Sequence, residues 1–243
     1  VSRLRRSVGT VGEILVTLGV IVLLFAAYEL WGTGVYTDGQ QHDLQQTLQQ
    51  EWRTPSPATG TDEPTIGSTS ATPTSASATP TSVPTNVPAG AGFAILRIPR
   101  LGAGYDKVIV QGVGVEDLKR GPGHMPGTAF PGQVGNFVVS GHRTTYGAPF
   151  NRLDELRRGD AVVVQTKDSW YVYRVTSSEV VKPTETSVAA PVPHHPGQPP
   201  TTAIMTMTTC NPKYSAAQRL IVYAALDSTT PVSSGAPSAL AKG

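Results

Sequence analysis

The chain has 243 residues, with 19 Lys and Arg against 17 Asp and Glu and a formal charge of +2, too close to neutral to mark a nucleic-acid-binding surface. Its one cysteine excludes an internal disulfide framework and a cysteine-built zinc site, and none of its five histidines falls in an HExxH arrangement. Its 25 glycines and 21 prolines are unevenly spread, so much of the length is not packed core.

Arg3, Arg5 and Arg6 precede a hydrophobic stretch, 11–31, whose centre from 14 to 27 carries no charge. Roughly 20 helical residues at 1.5 Å rise cover the hydrocarbon core of a bilayer. The expected reading is a basic cytoplasmic N-terminus over 1–10 and a single transmembrane anchor over 11–31, with everything after it outside the cytoplasm by the positive-inside rule. A cleavable signal peptide is the competing reading. The run is long for one, and Tyr28-Glu29-Leu30-Trp31 is a poor match to a small-residue cleavage site.

Residues 32–90 read as an extracellular stalk. Within it, 43–52 is a short Gln-rich segment capable of helix. From 53 to 88 the chain is Thr, Ser, Ala and Pro with almost no large apolar side chain. Such a segment cannot bury enough surface to offset its ordering entropy and serves as a spacer.

A folded unit is expected over 91–227. Strands are predicted at 93–98, 105–110, 136–140, 161–166 and 170–176, the last running on through Val180 and Val181. Two more follow, at 203–210 and 219–226. Residues 115–119 suit one helical turn. Phe150, Leu153 and Leu156 mark one face of a short helix over 150–158. The segment GPGHMPGTAFPGQVGN (121–136) reads as a loop. A Pro-rich loop, 183–202, holds His194 and His195 and lies immediately before the cysteine strand, so it is expected to wall a substrate groove. A disordered tail is expected over 228–243. Seven or eight short strands with one or two short helices argue a single all-β barrel or sandwich of about 135 residues. No GxGxxG or GxxxxGK phosphate loop is present.

Cys210 lies where an apolar strand gives way to Thr208 and Thr209, before the turn Asn211-Pro212-Lys213-Tyr214-Ser215. Arg219 opens the next strand. If the two strands are neighbours, a nucleophile and a fixed positive charge share one end of a sheet. A buried free cysteine is commonly just a small hydrophobe. Here, however, the residue ends a strand outside any apolar stripe, and Arg219 would favour its thiolate. His142 ends another apolar strand after Ser140-Gly141. Cysteine and histidine at the ends of different strands are a nucleophile-plus-acid/base pattern. Arg143 reads as solvated. His124, His194 and His195 lack ordered acidic or cysteine partners and are not read as metal ligands, and no cofactor is expected.

The residues 91–227 as a whole resemble the sortase transpeptidase domain. MTMTTCNPKYSAAQR, 205–219, is similar to the family's TLxTC...R signature, with Thr209 before the nucleophile. Ser140-Gly141-His142-Arg143 matches its histidine motif, and Gly127-Thr128 with Pro131-Gly132 resembles the loop before it. The form of the cysteine motif and the Ala/Thr/Pro stalk look most like class E, the housekeeping-type sortases of high-GC Gram-positive bacteria. The resemblance implies an eight-stranded β-barrel with a Cys210–His142–Arg219 active site. It implies a membrane-bound enzyme that cleaves the Thr-Gly bond of an LAXTG- or LPXTG-type sorting signal on secreted proteins. Transfer then goes to a cell-wall peptide amine or its peptidoglycan precursor. Thr209 and Tyr146 are expected as substrate-binding residues, Tyr146 on position alone. A membrane-tethered cysteine peptidase and a non-catalytic wall-binding module are the alternatives.

Overall fold

The apolar runs on either side of the glycine turn at 102–104 form a hairpin, in which β1 (Gly92–Arg97) and β2 (Asp106–Gln111) pair antiparallel. The structure, a computed structural model, describes residues 2–53 and 87–241. From β2 the chain passes through helix α3 (Val115–Arg120) to a two-residue strand, β3 (Gly123–His124), which runs parallel to β2. β4 (Gly135–Ser140) is antiparallel to β3, and β7 (Ala203–Asn211) lies parallel to β4. β8 (Gln218–Pro231) joins β7 to β6 (Ser169–Val181), and β5 (Ala161–Gln165) pairs with both β6 and β1. The result is a closed eight-stranded barrel of order β1-β2-β3-β4-β7-β8-β6-β5, the expected all-β architecture. Closure leaves no unpaired sheet edge.

The barrel is filled from alternate positions of each strand, as the two-residue side-chain period requires. Leu96, Ile109, Phe137, Val139, Val164, Tyr173, Met205, Met207 and Val222 belong to one buried cluster. β3 falls inside the segment expected as a loop, because the Gly and Pro around it give no periodicity. Its His124 is nonetheless fully buried, with Nδ1 2.7 Å from Gln111 Oε1 and Nε2 3.1 Å from the Ala129 carbonyl.

Three segments depart from expectation. Residues 150–158 form a 3₁₀ turn at Leu153–Glu155 rather than an α-helix. Phe150, Leu153 and Leu156 still reach the core, because an i, i+3 spacing stacks on one side of a 3₁₀ turn as well. The tail expected to be disordered from 228 is ordered through 241. β8 continues to Pro231 against Ser169, and Ala239 is buried beside Val163, Trp170 and Val172.

The third departure is in the segment read as stalk. Helix α1 (Ser2–Ala27) passes through one π-helical turn (Tyr28–Gly32) into a second helix, α2 (Thr33–Arg53). Gly9–Ala27 is long and apolar enough to cross a membrane by length and composition. Its apolar side chains face outward. α2 is docked on the barrel, with Leu44 and Leu48 packed against Ile95, Val108 and Val110. The Ser/Thr/Pro-rich part of the expected stalk, 54–86, lies outside the described residues.

Candidate active site

Strand register places the chemistry. In the parallel β4–β7 pair, Ser140 lies opposite Thr208, and the Gly141 amide donates to the Thr208 carbonyl at 3.1 Å. His142 and Cys210 each sit two residues further on, so both emerge at the same end of the barrel. On the other side of β7, Cys210 lies directly opposite Arg219 in the antiparallel pair with β8. Three residues from three adjacent strands therefore surround one point. All three line a cleft of about 370 Å³. The rest of its lining is largely apolar, with Leu118, Met125, Val138, Val188 and Ile221 among the contributors.

Local packing explains the shape of the histidine motif. Gly141 has no room for a side chain, since a Cβ there would lie 2.7 Å from the Phe150 ring. The Phe150 amide donates to the His142 carbonyl at 3.0 Å, tying the strand end to the core-facing turn. The imidazole is partly buried, and desolvation holds its pKa below the ordinary histidine value. The neutral ring is thus favoured at rest.

Arg219 keeps its guanidinium on the turn between β7 and β8, donating to the Ala216 and Gln218 carbonyls at 3.0 and 2.9 Å. Cys210 is a free thiol, partly buried in the cleft. Arg143, read as solvated, is only 5% exposed. Its guanidinium donates to the Cys210 carbonyl at 3.1 Å and to Asn211 Oδ1 at 2.5 Å, and pairs with Asp154 at 3.2 Å. It ties the histidine strand end to the cysteine strand end. Nothing in the sequence distinguishes it from a surface arginine, because the two groups that its guanidinium hydrogen-bonds on the cysteine strand lie 67 and 68 residues away.

The two residues expected to touch substrate are placed differently. Thr209 is buried, and its hydroxyl donates to the Gly141 carbonyl at 2.8 Å. That bond clamps β7 to β4, and Thr209 is among the residues that line the cleft. Tyr146 is absent from the cleft lining and packs behind His142, ring centroids 5.0 Å apart.

The wall expected from 183–202 is formed by its first part. Pro183, Glu185, Thr186, Val188 and Ala189 line the cleft. Asn136 holds them there, donating through Nδ2 to the Val188 and Ala190 carbonyls at 3.1 and 2.9 Å. The later part turns away. His194 Nε2 lies 2.6 Å from Glu179 Oε1, which also accepts from the Tyr223 hydroxyl at 2.6 Å. Among the described residues, no group of three or more His, Cys, Asp or Glu side chains is placed to hold a metal ion.

The sortase domain model covers residues 96–227, and the chain belongs to the sortase family, whose members are cysteine transpeptidases. Sortase SrtE1 of Streptomyces coelicolor is 34% identical over 240 residues, an alignment spanning 95% of this chain and 60% of that protein's length. The structure of sortase E from Streptomyces avermitilis aligns at 44% identity with a TM-score of 0.58, over 63% of this chain and 99% of that one. Sortase E1 from Streptomyces coelicolor, solved with a tripeptide in its active site, aligns at 38% identity and TM-score 0.58, over 62% of this chain and 97% of that one. Within the family, the chain is similar to class E sortases.

Proposed function

We propose that the chain is a membrane-anchored cysteine transpeptidase acting on sorting signals of LAXTG or LPXTG type, with Cys210, His142 and Arg219 carrying the reaction. One observation supports this above the others: the three side chains, drawn from three neighbouring strands, line a single cleft. That a tripeptide occupies the active site of a relative supports a peptide as substrate.

In this reading the Cys210 thiolate attacks the threonine carbonyl carbon of the signal. A C–S bond forms as the carbonyl electron pair moves onto oxygen, facing the Arg219 guanidinium, which stays charged when partly buried. The intermediate then collapses and breaks the Thr–Gly C–N bond. The His142 imidazolium gives its proton to the departing glycine amine, leaving a thioester on Cys210 and a neutral imidazole. An acceptor amine next attacks the thioester and gives its proton to His142, and a new amide forms as the Cys210 thiolate departs. Isolated thiol and imidazole groups have pKa values of about 8.5 and 6.5. Burial disfavours the His142 cation, so the imidazolium that donates the proton is a minority form at neutral pH.

The acceptor class is a cell-wall peptide amine or its peptidoglycan precursor, and the donors are secreted proteins with C-terminal sorting signals. Residues 1–10 are proposed to lie in the cytoplasm, 11–31 in the membrane, and the barrel outside the cell. The apolar helix supports a span by its length and composition.

Mass spectrometry of the full chain in detergent tests the reaction, using an LAXTG-type peptide with and without triglycine. The expected products are a thioester on Cys210, absent in Cys210→Ala, and a new amide when amine is present. A thioester that yields acid but no amide across several amines would favour the peptidase alternative. Undiminished turnover in Cys210→Ala would remove the mechanism.

A further inference from the structure

We infer that α2 is a positioning element of the catalytic cleft, its first residue, Thr33, holding the loop that carries His142. The inference rests on His142 as the acid/base of the proposed reaction.

Thr33, Thr37, Gln41, Leu44 and Leu48 are the buried residues of α2, and their spacing of four, four, three and four puts them on one helix face. The stripe changes character along its length. At the far end, Leu44 and Leu48 rest on β1 and β2 side chains. In the middle, the Gln41 amide is fully engaged. Nε2 donates to the Val108 and Arg120 carbonyls at 3.1 and 2.6 Å, and Oε1 accepts from the Val108 amide at 2.7 Å. A buried amide with three matched partners fixes the helix in one register, because any slide strands all of them. The barrel surface beneath is cut to fit. A Cβ at Gly121 would lie 2.1 Å from Gln41 Nε2, and one at Gly92 would lie 3.3 Å from Leu44.

The polar end of the stripe reaches the loop that follows His142. Thr37 donates to the Lys119 carbonyl at 2.7 Å. Thr33 Oγ1 donates to the Glu29 carbonyl at 2.7 Å and accepts from the Tyr146 amide at 3.2 Å. Tyr146, Gly147 and Ala148 all have left-handed backbone, with φ of 51°, 68° and 42°. Two of the three are not glycine, so this conformation needs support from its surroundings. α2 supplies it from one side, and Thr37 leaves Gly147 little room for a side chain, since a Cβ there would lie 3.1 Å from Thr37 Cγ2. The Tyr146 ring in turn rests against the His142 imidazole. A chain of contact thus runs from Thr33 through Tyr146 to the proton-transfer group. α2 is continuous with the apolar helix through one π-helical turn, so the segment leaving the membrane is the segment that sets the histidine.

The test uses the full chain in detergent micelles or nanodiscs, with an LAXTG-type peptide and triglycine. Three variants are compared: Thr33→Val, Thr33→Ser and the double change Leu44→Asp with Leu48→Asp. Hydrogen exchange over 142–148 reads the contact without reference to activity. In Thr33→Val, exchange there should quicken and kcat should fall about tenfold, with KM and the barrel's melting temperature unchanged. Thr33→Ser keeps the hydroxyl and should restore kcat. The double variant should reproduce both effects by undocking the helix. Wild-type kcat in Thr33→Val and in the double variant overturns the inference, as does quickened exchange with no fall in kcat. Full turnover in His142→Ala would instead overturn the histidine assignment beneath it, which the exchange data do not depend on.

Discussion

The Arg143 guanidinium donates to the main-chain carbonyl of Cys210 at 3.1 Å. This joins the residue after the histidine to the cysteine itself, and the same side chain holds Asn211 and Asp154. Three directional contacts from one planar group cannot be reproduced by an ammonium. Arg143→Lys should therefore lower stability by roughly 2 kcal/mol, in the range for hydrogen bonds from a charged donor. It should also slow thioester formation, because the Cys210 backbone is no longer held to the His142 strand. Denaturant melts and single-turnover acylation measured on one preparation separate the two effects. Wild-type acylation in a destabilised variant would limit Arg143 to a structural role.

Arg219 is expected to act on the transition state. Its removal in Arg219→Ala should lower kcat/KM by roughly 10²–10³-fold, the range for one oxyanion-stabilising donor. Arg219→Lys should recover only part of that. The guanidinium is steadied by two carbonyls of the β7–β8 turn, and a lysine has no fork to span them. Steady-state kinetics with a fluorogenic signal peptide decides between these outcomes.

Acid should destabilise the barrel through His124. Burial holds its pKa down to about 4, against an ordinary value of about 6.5 in the unfolded chain. Between these values the unfolded chain binds the extra proton, so stability rises with pH across the window. The contribution is fully present above pH 6.5 and is lost as pH falls toward 4, a change of about 3 kcal/mol. Urea midpoints from pH 7 to 4 should fall more steeply for the natural chain than for His124→Gln. Parallel curves would show that His124 is not the group responsible.

The ordered C-terminal segment should matter to the fold. Cutting the chain after Asp227 removes the pairing of Ser228, Thr229, Thr230 and Pro231 with β6 and uncovers the Trp170 and Val172 face. Thermal melting should drop by several degrees with active-site chemistry largely kept, since Arg219 lies at the start of β8 and the removed residues at its far end. Ala239→Asp, which puts a charge into the same cluster, should lower the melting temperature in the same direction.

Signal preference is the remaining expectation. The wall from Pro183 to Ala189 is held by Asn136 and faces the cleft upstream of Cys210. Competition between LAXTG and LPXTG peptides should favour alanine at the second position. Clear preference for LPXTG would detach the specificity from the class E resemblance without touching the fold. Asn136→Ala should loosen that wall and raise KM more than it lowers kcat.

Much of this was legible in the order of residues. Short apolar runs in 93–98 and 203–207, closed by Pro99 and by the polar turn after Cys210, mark strands whatever they later pair with. The apolar stretch at 11–31, uncharged over 14–27, marks a helix able to span a bilayer by its length and composition. Cys210, His142 and Arg219 stood out because each ends or opens an apolar strand. Only the tertiary structure brought them to one cleft. It did so through register: Ser140 against Thr208, and Cys210 against Arg219. Arg143, the clamp made by Thr209 and the docking of α2 were invisible beforehand for the same reason. The hydrogen-bond partners that hold them across the fold lie between 67 and 113 residues away, and a hydrogen bond across such a distance leaves no periodic trace in either segment. The Thr33–Gln41 stripe has threonines and glutamine where an amphipathic helix would carry leucine. It reads as exposed until the backbone carbonyls it serves are in place.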